Sequence, residues 1–240
     1  MCQLCEANST LSRRRMLGGG LALAGALAGA KLAAMPTLAH AAAPNAISPD
    51  EALARITAGN ERYVANSSVN RDLAAGRVDR AAGQYPIAAL VSCADSRVAP
   101  ELVFDQGPGD LFITRVAGNF VYDHNLASLE YGVKFLGVPL IMVLGHSSCG
   151  AVGATLKVVQ EGAELPGHLP DLVRAMKPGI QAAIDKKPAD LLDAAIRENV
   201  RHNVSVLQSA GPIVSEFVAA GKVKVVGGVY DIATGKVSMV

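Results

Sequence analysis

The chain reads as an α/β fold with a mainly parallel central β-sheet flanked by helices. Three apolar runs, 87–92, 111–116 and 138–144, lack the polar alternation of a half-exposed strand and read as strands covered on both faces. Segments of helical period separate them, which makes crossover helices and parallel neighbours the expectation. Half of the 240 residues are hydrophobic and 18% are charged, enough for one packed core and no mark of disorder.

The elements follow in chain order. Ser48-Pro49-Asp50-Glu51 is a capping box with proline at the first helical position, and Leu53, Ile56, Tyr63 and Val64 share one face of the helix it opens. The strand over 87–92 is followed by the turn Gly107-Pro108-Gly109-Asp110 and the strand over 111–116. A helix over about 125–136 groups Leu126, Leu129, Val133 and Leu136 ahead of the third strand. A further helix starts near Gly150, and two more span about 169–184 and 189–209. Strands over 222–230 and 236–240, joined by a turn at 231–235, close the chain. No internal repeat is present.

Residues 1–43 read as a cleaved export segment, leaving 44–240 as the folded domain. Ser12-Arg13-Arg14-Arg15-Met16-Leu17 precedes a Gly/Ala/Leu stretch to Ala30 and the small-residue pattern Ala39-His40-Ala41. This resembles a twin-arginine export signal and implies a periplasmic or extracellular protein. Glycines at 18–20, 25 and 29 and Lys31 break the stretch, whereas a spanning helix needs roughly 20 mostly apolar residues, so no stable membrane anchor is expected. Beyond residue 43 acidic residues outnumber basic ones by two, and Trp is absent. That balance offers nothing to nucleic acid, by phosphate contact or by stacking.

Cys2 and Cys5 leave with the export segment, so the mature chain keeps Cys93 and Cys149. They lie in Cys93-Ala94-Asp95-Ser96-Arg97 and His146-Ser147-Ser148-Cys149-Gly150, each just after an apolar strand run. Two thiolates and one imidazole are the ligand set of a zinc site with a fourth position open. In parallel sheets ligands gather outside the carboxyl ends of the strands, where Cys93 and His146 both fall. Cys149 follows His146 at three residues, in a turn whose helix favours a thiolate at its N-terminus. A disulfide between Cys93 and Cys149 is the alternative for an exported protein, although it leaves His146 and Asp95 without a purpose. Asp95 and Arg97 read either as a switchable carboxylate with its partner or as a structural ion pair.

These segments resemble the β-class carbonic anhydrases, whose zinc motifs are C-x-D-x-R and H-x-x-C. The likeness extends to Gly59-Asn60-Glu61-Arg62-Tyr63, to 105–112, to Arg115-Val116-Ala117-Gly118-Asn119, to Ser128-Leu129-Glu130-Tyr131 and to 230–235, covering nearly everything from Ser48 to Val240. It implies a zinc enzyme that reversibly hydrates carbon dioxide to bicarbonate and a proton by attack of zinc-held hydroxide. Cys93, His146 and Cys149 would bind the metal. Asp95 would take the fourth position in a closed state, or pair with Arg97 and accept a hydrogen bond from the attacking oxygen in an open one. Gln84 matches a position that hydrogen-bonds substrate, and Phe112, Ala117 and Tyr131 match a small apolar pocket for carbon dioxide. The regulatory subtype carries tryptophan three residues before the first ligand cysteine; Leu90 stands there, which implies the plant-type subclass. A homodimer or homotetramer is implied as well, with Gln84 serving the partner's metal. Two other readings stay open: the same site hydrolysing carbon disulfide or carbonyl sulfide, and a non-catalytic zinc protein closed by Asp95.

Overall fold

The computed structural model describes residues 43, 45–69, 72–74 and 76–240. The export segment expected over 1–43 lies outside the described residues save for Ala43. The helices are α1 (Pro49–Val64), α2 (Arg77–Ala82), α3 (Pro100–Val103), α4 (Asp123–Phe135), α5 (Gly150–Glu161), α6 (Leu169–Asp185), α7 (Leu191–Gln208) and α8 (Ile213–Ala219). The strands are β1 (Ala88–Ser92), β2 (Leu111–Arg115), β3 (Leu140–His146), β4 (Lys224–Tyr230) and β5 (Val237–Met239). They form one sheet in the order β2-β1-β3-β4-β5, parallel except for the antiparallel edge strand β5. Every residue of β1 and β3 is buried, as central strands covered on both faces require, whereas β2, expected to be covered in the same way, is an edge strand and stays part exposed.

Side chains of β1 and β3 alternate between two cores. Ala89, Val91, Ile141 and Val143 pack with α4 through α8, and Cys93 and Cys149 belong to this side. Ala88, Leu90, Leu140, Met142 and Leu144 face α1 and α3. The helical period over 125–136 buries Leu129 and Val133 fully and packs Leu126 and Leu136 against the same core. On α1, Ile56 is buried and Leu53 and Tyr63 pack beside it, but Val64 is exposed on the last turn. α2, α3 and α8 had no counterpart in the sequence pattern, because segments of four to seven residues show too little of a 3.6 period to be read.

Ser48 caps α1 by accepting the Glu51 N–H at 3.1 Å. Buried Asn60 ties this helix to α3 and to the chain end, donating to the Val103 and Gly235 carbonyls and accepting from the Val237 N–H. Two residues on, Arg62 Nε lies 2.6 Å from Oδ2 of Asp105, whose side chain is 1% exposed and also accepts the Val69 N–H. Removing that guanidinium takes an ion-pair partner from a buried carboxylate. Arg62→Leu is therefore expected to cost about 3 kcal/mol and to lower the melting temperature by roughly 10 °C; a calorimetric scan of the zinc-free protein checks it.

Candidate metal centre

β1 and β3 are adjacent and parallel with Ser92 beside Leu144, so the chain leaving β1 at Cys93 emerges at the same sheet edge as His146, the last residue of β3. Beyond His146 the chain turns sharply into α5. The Ser147 N–H donates to the Tyr230 carbonyl at 2.8 Å, Ser147 Oγ accepts the Ile232 N–H at 3.0 Å, and Ser148 adopts a left-handed φ of 55°. Cys149 then becomes the N-cap residue of α5. The result is a cluster in which the ligand atoms of Cys93, His146 and Cys149 all lie within 4.8 Å of one another, with all three residues buried. Both cysteines are free, not joined as a disulfide.

Each donor atom is oriented by a neighbour. His146 Nδ1 is 2.9 Å from the Ser147 carbonyl, which assigns the ring proton to Nδ1 and leaves the lone pair on Nε2. Nε2 is buried and has no hydrogen-bond partner. Cys93 Sγ accepts the Gly118 N–H at 3.3 Å. The N–H groups of Val152 and Ala151, in the first turn of α5, face the Cys149 sulfur. Arg115, at the end of β2, donates through Nε to the Cys93 carbonyl at 2.9 Å and through Nη2 to the Asp95 carbonyl at 2.7 Å.

Asp95 is gripped from one side. Arg97 donates Nε to Oδ1 at 2.9 Å and Nη2 to Oδ2 at 2.7 Å, a two-pronged guanidinium–carboxylate pair, and its backbone N–H adds a third bond to Oδ1. The same Nη2 reaches the Ser148 carbonyl at 3.5 Å, linking the two motifs. Oδ2 also sits 3.9 Å from His146 Nε2, so the carboxylate borders the cluster while its oxygens are engaged by arginine.

The electrostatics follow from these contacts. Hydrogen bonds from Arg97 hold the Asp95 carboxyl well below the usual carboxylate range, against a smaller opposing effect of burial. The two thiols share a proton: Cys149 donates to Cys93, which favours thiolate at Cys93 over the opposing burial, helped by His146 and the Gly118 N–H. The proton held between the sulfurs, together with burial, pushes Cys149 up. Burial disfavours charge on His146, but the Cys93 sulfur, the Ser147 carbonyl and the Asp95 carboxylate together raise the ring's pKa. These groups hold protons that a metal ion would displace. A divalent cation also answers the bare Nε2 and the negative charge of the sulfurs, and a set of two sulfurs and one nitrogen suits zinc over magnesium or calcium.

The other sequence-derived residues fall at two ends of the sheet. Ala117 lies in the turn beside Gly118, next to Cys93. Phe112 pairs in register with Ala89, near the start of β1, and stacks at 6.4 Å with Tyr131 of α4, which is 49% exposed. Gln84 precedes β1 and lines a separate cavity of about 500 Å³ with Asp79, Arg80, Tyr85 and the 107–110 turn. The length of β1, about 13 Å at strand rise, separates Gln84 from its own chain's cluster. Gly118, Ser147 and Arg115 act at the site without any signal in spacing: their contribution is a backbone N–H, a carbonyl and a loop-bracing side chain.

Residues 88–237 match the carbonic anhydrase family model, a span that holds the whole cluster. The chain belongs to the carbonic anhydrase family. It is 38% identical over 179 residues to carbonic anhydrase 2 of Mycobacterium tuberculosis, covering 74% of this chain and 86% of that protein. A carbonic anhydrase of Mycolicibacterium smegmatis is 38% identical over 182 residues, with 75% and 88% covered. Among solved structures, the β-carbonic anhydrase CcaA aligns with a TM-score of 0.63 at 26% identity, over 78% of this chain and 94% of that one. A Coccomyxa β-carbonic anhydrase in complex with acetazolamide aligns at 0.61 and 27% identity, over 80% and 82%. The fold and these relatives place the chain in the β-class of the family.

A depressed carboxyl pKa contributes stability above the unfolded value of about 3.9, and that contribution is lost as pH falls through the lower folded value. A ¹³C titration of the Asp95 carboxyl in metal-free protein is expected to show it ionised below pH 3.9, and Arg97→Ala is expected to move its midpoint up.

Proposed function

We propose that this carbonic anhydrase reversibly hydrates carbon dioxide to bicarbonate and a proton, using zinc held by Cys93 Sγ, His146 Nε2 and Cys149 Sγ. One observation carries the reading: two buried sulfurs and one imidazole nitrogen converge at the carboxyl edge of the sheet while Arg97 holds the adjacent Asp95 carboxylate in a two-pronged grip. Zinc there supplies a Lewis acid that lowers the pKa of water, less strongly than on a three-histidine site because two thiolates offset its charge, so activity rises toward alkaline pH. Asp95, kept ionised by Arg97, accepts a hydrogen bond from the attacking oxygen and orients it. Arg97 keeps that carboxylate off the fourth ligand position. Ala117, beside the cluster, leaves room for a small nonpolar substrate.

Gln84, Phe112 and Tyr131 enter this reading through assembly. They sit at the amino edge of the sheet, away from their own chain's cluster, and are assigned to the substrate pocket of a second copy in a homodimer or homotetramer. The exposed ring contact between Tyr131 and Phe135, at 5.4 Å with Phe135 71% exposed, supports an interface on α4. Leu90 in place of tryptophan supports the plant-type subclass. The arginine-led N-terminal sequence supports export to the periplasm or beyond. Among the described residues no helix is long and apolar enough to cross a membrane.

Stopped-flow hydration of carbon dioxide by zinc-loaded mature protein tests the reading. Hydrolysis of carbon disulfide without hydration would redirect it to the analogue-cleaving class, and neither activity would leave a zinc-binding protein. Arg97→Ala is expected to lower kcat at least about 100-fold, the scale of one positioned proton acceptor, while zinc stays near one per chain by elemental analysis. Loss of zinc in that variant, or full activity, would refute the assignment of Asp95 and Arg97.

A further inference from the structure

Resting on the zinc reading above, we propose that Asn199 is a positioning residue for the metal centre, acting through Gly118 on the Cys93 sulfur. Asn199 lies on α7 among Ile196 and Val200, with its side chain fully buried. An amide in such surroundings is costly unless its hydrogen bonds are made. Nδ2 donates to the Gly118 carbonyl at 2.8 Å, and Oδ1 accepts from Asn203 Nδ2 at 3.2 Å. Asn203, one turn further on and equally buried, uses its own Oδ1 to accept the Val121 N–H at 2.7 Å. Two asparagines on one helix face thus hold both ends of the 118–121 segment.

That segment reaches the metal site through one atom pair, the Gly118 N–H on Cys93 Sγ. Gly118 has no freedom to drift. It adopts a left-handed φ of +88°, and a Cβ there would come 2.3 Å from Met176 Sδ of α6. α6 in turn crosses α7 at Gly179, where a Cβ would lie 2.8 Å from the Asn199 Cα. Gly118 is therefore seated between a sulfur of α6 and an amide of α7, and Asn199 sets how closely its N–H approaches Cys93. An N–H donor withdraws electron density from a thiolate, so its distance tunes the charge that Cys93 offers a metal. None of this needs Asn199 to touch metal or substrate.

Cobalt substitution tests the inference without reference to turnover. In Asn199→Leu and Asn199→Asp, the thiolate-to-cobalt charge-transfer band is expected to shift to longer wavelength, as an electron-richer sulfur gives up charge more easily. Cobalt affinity by chelator competition is expected to fall about 10- to 100-fold, because the loss of a partner that holds Cys93 in place outweighs the stronger donation of its sulfur. Leu207→Ala, a cavity about two turns along α7, controls for stability: it is expected to lower the melting temperature and leave the band in place. An unmoved band and unchanged affinity in both Asn199 variants would overturn the proposal. Should neither variant fold, wild-type protein loaded with ¹¹³Cd decides, since the Gly118 amide proton must then show scalar coupling to cadmium across the hydrogen bond and its absence overturns the proposal. Wild-type protein that takes up neither ion sinks the zinc reading itself, which separates the two failures.

Discussion

Two cysteine sulfurs buried beside each other at a sheet edge impose the condition that organises this molecule. Uncompensated, they share a proton and leave negative charge on buried sulfur. Everything around them addresses that charge. The first turn of α5 aims N–H groups at Cys149, Gly118 gives one to Cys93, and His146 presents a bare ring nitrogen between them. A dication completes the arrangement, which makes the fold and the metal parts of one electrostatic solution.

The sheet also sets two groups of residues apart along its strands. The carboxyl edge carries the three donors with Asp95 and Arg97; the amino edge carries Gln84, Phe112 and Tyr131. Parallel strands force this polarity, because each βα connection leaves from the same edge and each return arrives at the other. Residues close in the sequence, such as Gln84 and Cys93, are thereby held a strand length apart.

Behind the donors lies a layer of buried amides rather than a purely apolar core. Asn199 and Asn203 stand among valines and isoleucines and hold loop backbone instead of solvent or each other alone. On the far side of the sheet Asn60 does the same between α1, α3 and the chain end. Such groups are expensive to bury, and each is paired with backbone of another segment. They fix loops whose positions apolar packing alone would leave loose.

Much of the design was legible in the residue order. Periodicity marked the long helices and the buried central strands, and the spacing of Cys93, His146 and Cys149 after strand runs marked the metal donors, because ligand chemistry and strand polarity are local properties of a chain. The short helices α2, α3 and α8 were not legible, nor was the outward turn of Val64, since these depend on what packs against them. Nor did spacing point to Asn199, which lies 106 positions from Cys93 in the chain. Composition and motif determined which atoms are able to bind a metal; the crossing of α6 and α7 over Gly118 and the grip of Arg97 on Asp95 were decided only by tertiary structure, because hydrogen bonds between distant segments exist only once packing has brought them together.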